Sequence, residues 1–281
     1  MLLPAVALVA ILKRDQAGRE QRGERKPVKE ALLRSPGETL RRKLEEIDDE
    51  INLRLASSIA VGAIVGVMAG QSYRAGGPQM MNTLGVYLVI FLGAEIWLLR
   101  GLYAYVQERR SYRLGLSGEL AVGEELNKLM LEGCRVFHDF PGGDDWNIDH
   151  VIVAPSGVFA IETKARHKRT GTKEQPAHVV IYTGDALQFP TWTETKPLEQ
   201  IELNARQLAK FIEQAAAESL KVTPILALPG WMVKSNVSGV QRVLSHKNVQ
   251  YAVLNGQQVL SADQMKRICH QIEQKCRDVE F

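Results

Sequence analysis

The stretch NIDHVIVAPSGVFAIETKARHKR, residues 147–169, places two apolar, β-branched runs on either side of APSG. Residues 151–153 and 158–161 read as strands, and the proline and glycine between them sit where a turn favours them. A β-hairpin is expected. If Ala154 faces Gly157, then Val153 faces Val158 and Asp149 faces Glu162. Opposed side chains share a face with Cβ atoms roughly 5 Å apart, and Lys164, two residues past Glu162, returns to that face. A three-residue turn with Gly157 as a bulge shifts the register by one and puts the two acids on opposite faces.

Two carboxylates at that separation repel each other unless a cation lies between them. Oxygen-only ligands suit a hard ion, magnesium or manganese (Mg2+ or Mn2+). An ammonium beside such an ion can orient a water and balance charge that builds on a phosphorane-like transition state. The same three residues also suit a plain ion pair at a strand end, which is worth little.

Around the hairpin lie segments that resemble the nuclease-related domain (NERD), a branch of the PD-(D/E)xK restriction-endonuclease-like superfamily. GELAVGEELNKL, residues 118–129, looks like the family's opening helix, with Gly123-Glu124 at the G-E pair. NIDHVIVAPSGVFAIETK matches the hairpin, KPLEQIELNARQLAKFI (196–212) the following helix with its glutamine at Gln200, and VTPILALPGW (222–231) the next core strand. The resemblance implies a metal-dependent DNA nuclease of α/β class, a restriction-endonuclease-like mixed sheet flanked by helices. Asp149, Glu162, the Thr163 carbonyl and Glu124 would hold Mg2+ or Mn2+, Lys164 would work on water and the transition state, and Gln200 would hold substrate or water. Strands are expected near 148–163, 178–183, 222–228 and 249–254, with helices at 197–219 and 261–277, the last capped by Ser261. Leu203, Leu208 and Phe211 are expected on the inward face of the 197–219 helix.

Composition bounds the rest. The 281 residues, 45% hydrophobic, leave room for one domain and a further module. A net charge of +3 does not by itself announce nucleic-acid binding. Cys134, Cys269 and Cys276 form no C-x-x-C pair, so reduced thiols are expected rather than zinc or a disulfide. Residues 55–71 carry no charge, and 83–106 carry only Glu95 and Arg100. Each run is near the roughly 20 residues that cross a bilayer as a helix, and glycine-rich SYRAGGPQMMN separates them. The reading is a transmembrane helical hairpin with spans at about 55–71 and 83–103. Ser58, Gly62, Gly66 and Gly70 form a small-residue ribbon that packs on the second span or on a second copy, giving a homo-oligomer. Glu95 inside a span is expected to hydrogen-bond Ser57 or Ser58, or to snorkel.

Lysines and arginines crowd residues 13–54 and follow the second span at Arg109, Arg110 and Arg113, while the turn has only Arg74. The positive-inside rule then places both flanks and the nuclease-like domain in the cytoplasm, on a multi-pass inner-membrane protein. The remaining boundaries follow from composition. Residues 1–12 read as an interfacial anchor or a short span, 13–34 as a polar linker, 35–106 as a helix capped at Ser35 that runs into the hairpin, and 107–117 as a juxtamembrane linker; the domain occupies 118–281. Arg41, Arg42 and Lys43 either form a solvated face or meet anionic membrane lipid.

The run KARHKR extends the catalytic strand, so Arg166, Lys168 and Arg169 are read as DNA backbone contacts without sequence preference. His150 points away from Asp149 and reads as structural, and His167 as solvent-facing. Trp146, Trp192 and Trp231 read as packing residues, with Trp192 also open to base stacking. Three functions compete: a membrane-tethered DNA nuclease, a non-catalytic DNA-binding or tethering module on the same fold, and a membrane assembly protein that recruits a partner.

Overall fold

The computed structural model describes residues 14, 30–143, 146–173, 175–237 and 242–279. The apolar segment 1–12 and most of the linker expected at 13–34 lie outside the described residues. Leu33–Arg277 form one compact unit.

Two long helices lead the unit: α1 is Glu38–Ala75 and α2 is Met80–Asn127. They turn at Gly76 and Gly77, both at positive φ (66° and 100°), which glycine alone adopts readily. The helices run antiparallel and touch along their length. Arg109 forms a two-pronged ion pair with Asp48, the Arg54 guanidinium lies over the rings of Trp97 and Tyr105, and Ser58 Oγ donates to Glu95 at 2.7 Å. Both are long and apolar enough to cross a membrane, and large apolar side chains such as Ile59, Val89 and Trp97 point outward. Only part of the small-residue ribbon meets the partner helix. Ser58 bonds Glu95 and Gly62 approaches Phe91, whereas Gly66 and Gly70 have no atom within 4 Å of where a Cβ would stand.

Two boundary expectations change. No linker interrupts 107–117, because α2 continues through it and its last turns are the opening helix of the domain. Ser35 does not cap α1 through its side chain. The N-cap is Gly37 at φ 72°, and the free N–H of Thr39 is taken instead by the carboxylate of Asp139, 100 residues away, at 2.7 Å.

The domain is built on a five-stranded mixed sheet, with β1 Arg135–Pro141, β2 Asn147–Ala154, β3 Gly157–Thr163, β7 Val222–Ala227 and β9 Val243–Leu244. In space the order is β9, β7, β3, β2, β1, with β1–β2–β3 antiparallel and β3–β7–β9 parallel. Helix α3, Lys196–Ala216, makes the crossover that a parallel neighbour requires. A smaller sheet contains β4 Val179–Tyr182, β5 Leu187–Gln188, β6 Thr193–Glu194 and β8 Met232–Ser235.

Alternation along β2 and β3 sorts the core. Val151, Val153, Val158 and Ala160 pack with Leu208 and Ile212 of α3 and with Ile268 and Ile272 of α5, Ala262–Cys276. Ile152, Phe159 and Ile161 pack on the other face with Val122 and Leu126 of α2 and with Val249 and Val253 of α4, Val249–Leu254. The 249–254 run is therefore a helix and not the expected strand. Its buried residues fall four apart, and a short apolar run has no periodicity by which to choose. Leu203 is another departure: it is 47% exposed, while Leu208 is buried and Phe211 packs on the core. Ser261 caps α5 in a reciprocal capping box with Gln264, and Cys134, Cys269 and Cys276 are buried thiols outside any disulfide.

Candidate functional site

The hairpin register decides the site. Ala154 pairs with Gly157, Val153 with Val158 and His150 with Ile161, so the two-residue turn holds and Asp149 stands opposite Glu162. Both acids are buried, at 6% and 3% exposure, and point to the face that α3 covers. Asp149 Oδ2 accepts the Thr163 backbone N–H at 2.7 Å. Glu162 is held from two sides, by Lys164 Nζ at 2.6 Å on one oxygen and by Asn204 Nδ2 of α3 at 2.9 Å on the other.

The third acid comes from α2, and it is Glu119. Glu124, expected from the Gly123-Glu124 pair, is exposed. The helix carries the same dipeptide twice, and five residues turn a side chain about 140° around an α-helix, so only one of the two can face the sheet. Gly118 fixes which: a Cβ there would stand 2.7 Å from Ala165 Cβ, so the helix lies flush against the end of β3 and delivers Glu119 beside it. Gly123 makes a similar close approach, to Pro36. Gln200 is half-buried one turn before Asn204 on the same side of α3, and Asn204 is the residue that reaches Glu162. Glu119 and Asn204 stand beside these acids without having been picked out from sequence. Each had a signal, the earlier G-E pair and the i+4 spacing from Gln200.

Burial makes these charges costly. It pushes the Glu119 carboxyl up to about 8, with Asp139 and Glu162 adding repulsion. Asp149 is raised well above the ordinary carboxylate range by burial, then by Glu162 and Glu119. Glu162 is raised by burial against the pull of Lys164.

On the opposite face, His150 Nδ1 meets His138 Nδ1 at 2.8 Å and His138 Nε2 meets Asn127 Oδ1 at 2.9 Å. Burial lowers His138 to about 4 and His150 well below its usual range. The pair is a neutral packing element, as the strand alternation expects for His150.

The donor set fits a hard cation. Among the described residues no three His, Cys, Asp or Glu side chains close around one point as a ready cage, but magnesium uses one or two carboxylates and takes the rest from water and phosphate. Glu119 Oε2, close to Gly37 at the start of α1, and Thr163 Oγ1, on the α2 side of β3, are buried with no hydrogen-bond partner. Thr163 also contributes its N–H, which orients Asp149.

Beside the acids, a cleft of about 650 Å3 opens between α2 and the segment after β3, with Arg110, Ala165, Arg166, Arg169, Trp192 and Glu194 in its walls. Arg166 is not a free phosphate contact. Its Nε and Nη2 are engaged by the two oxygens of Glu194, each at 2.8 Å. Lys168 and Arg169 are exposed, and the Arg169 guanidinium lies over Trp192 at 5.0 Å. His167 is exposed. Trp192 is half-buried and stacks on Phe189, and Trp231 is buried against both.

Residues 114–229 match the family model of the nuclease-related domain, NERD, which supports that family for this part of the chain. The matched region contains Glu119, Asp149, Glu162, Lys164 and Asn204. No curated protein and no solved structure gave a match.

Proposed function

We propose, from the premise that residues 114–229 are a nuclease-related domain, that the chain is a membrane-tethered, metal-dependent DNA nuclease acting at the cytoplasmic face. The observation that carries this is the gathering of Asp149, Glu162 and Glu119 with Lys164 at the end of β3, buried and under-neutralised. Asp149, Glu162 and Glu119 would hold the cation. A bound Mg2+ or Mn2+ supplies charge neutralisation at the phosphate and lowers the pKa of water. Lys164, held by Glu162, places an ammonium where charge develops as the phosphodiester is attacked. Asn204 and the Thr163 N–H fix the carboxylates so that no reorganisation is needed at that moment. Lys168 and Arg169, with Arg166 once it is released from Glu194, contact backbone phosphates.

Tethering rests on the two long apolar helices, and the cytoplasmic side on the lysine and arginine excess at their outer flanks. Because α2 is unbroken, the span and Glu119 share one rigid rod. Twenty residues separate Leu99 from Glu119, about 30 Å of helix.

A second reading, a DNA-binding module without turnover, is favoured by the Lys164–Glu162 pair, which partly neutralises the site without a cation. Plasmid cleavage by the detergent-solubilised full chain in magnesium, manganese or chelator separates the two. Cleavage should require metal, and Lys164→Ala should reduce it about 100- to 1000-fold while DNA binding persists. Metal-independent binding without cleavage in the parent protein would establish the second reading.

A further inference from the structure

We propose that the cleft between α2 and the segment after β3 takes single-stranded DNA and leads it to the acidic site, with Arg110 of the membrane-linked helix as one of its phosphate contacts. This rests on the nuclease reading and adds to it the substrate form and the part the stalk plays.

The cleft adjoins the site through Ala165. Ala165 lines the cleft, follows Lys164 directly and packs against Gly118, the residue before Glu119. Arg110 stands on the α2 wall, with Arg166 and Arg169 on the other, so phosphates are attracted from both sides.

One wall carries a layered stack. Phe189 covers one face of Trp192 at 4.4 Å and 6°, and the exposed Arg169 guanidinium covers the other, so the outer face of that guanidinium is the plane offered to a base. Unpaired bases stack on guanidinium planes as they do on aromatic rings. In a duplex those base faces are taken by neighbouring pairs, so only a single strand can use this stack.

Glu194 is the one carboxylate among the cleft-lining residues. It grips Arg166 through two parallel hydrogen bonds and also accepts from Trp192 Nε1 at 2.8 Å. A guanidinium offers the same fork to a phosphate. Glu194 therefore holds Arg166 in a phosphate-receiving pose and competes with the strand for it.

Height favours nucleic acid over a lipid headgroup. Arg110 is seven residues past Tyr103, about 10 Å along the helix, whereas the headgroup layer is only about 5 to 7 Å thick.

The test uses the full chain in nanodiscs of neutral phosphatidylcholine, with chelator to prevent cleavage. Anisotropy of a fluorescein-labelled 20-nucleotide single strand is compared with that of its duplex. The single strand should bind about tenfold more tightly. Arg110→Ala should weaken it about fivefold and lower the salt slope by about 0.7, and Glu194→Gln should tighten it severalfold. Arg110 is exposed, and an unchanged Tm confirms that the variant is folded. Duplex binding as tight as single-strand binding overturns the proposal. So does an Arg110→Ala variant with unchanged affinity and salt slope. If discs containing phosphatidylserine raise the Tm of the parent but not of Arg110→Ala, while strand binding ignores Arg110, the cleft is a headgroup site and the proposal falls. Metal-dependent cleavage is scored separately, so loss of the enzyme reading and loss of this one are distinguishable.

Discussion

Asp139 and Asp149 stand across from each other on β1 and β2, both buried, and they live in opposite circumstances. Asp139, at 0% exposure, accepts from the Thr39 N–H and hydroxyl, from Asn147 and from Arg34. Its φ of 50° turns it out of the ladder, whose pairing skips this step, and toward the start of α1. It ties the first long helix to the sheet. Asp149 accepts one backbone N–H and otherwise faces Glu162 and Glu119, whose repulsion adds to burial in raising its pKa. Burial alone does not mark a site. An acid whose partners satisfy it stabilises the fold, and an acid that confronts other acids is held ready for something positive.

The largest effect tests that contrast directly. Asp149→Asn should lower metal-dependent cleavage at least about 100-fold while the Tm in chelator stays level or rises, because a repelling charge is removed. Asp139→Ala should do the reverse. It removes the acceptor of the Thr39 N–H and of Asn147 and one acceptor of Arg34, costs about 3 kcal/mol and lowers the Tm by roughly 6 to 12 °C, with cleavage per folded molecule largely retained. A Tm loss in Asp149→Asn equal to that in Asp139→Ala would make both residues structural.

A smaller effect sharpens the role of Glu119. Its folded-state pKa, about 8, lies above its unfolded value. The stability it contributes is therefore complete below the ordinary carboxylate pKa and is lost as pH rises through about 8. In chelator the Tm should fall between pH 5 and pH 9, and Glu119→Gln should flatten that fall. Magnesium should stabilise the parent most at the alkaline end. A pH profile identical in parent and Glu119→Gln would remove Glu119 from the site.

The smallest expected effect belongs to Glu124. Exposed on the far side of the same helix, Glu124→Gln should leave cleavage unchanged and the Tm within about 1 °C. Loss of cleavage there would restore the Gly123-Glu124 reading and demote Gly118-Glu119.

The sequence by itself determined the hairpin, its acids and its lysine. Alternation and the APSG turn place Asp149, Glu162 and Lys164 on one face once the register is chosen, and they leave His150 on the other. It also determined the two apolar runs at 55–71 and 83–106, the crossover helix and the α5 cap, since these rest on local composition and periodicity and on residues three or four apart. Tertiary structure decided what depends on distant partners. Which of two identical Gly-Glu pairs faces the acids was settled by Gly118 packing on Ala165. The start of α1 was settled by Asp139, about 100 residues away, and not by Ser35 beside it. The 249–254 run became a helix because its neighbours bury Val249 and Val253. Arg166, readable as a phosphate contact, was claimed by Glu194 from a different sheet. In each case local chemistry allowed two answers, and the choice came from contacts whose partners lie far apart in the chain, where sequence spacing carries no information.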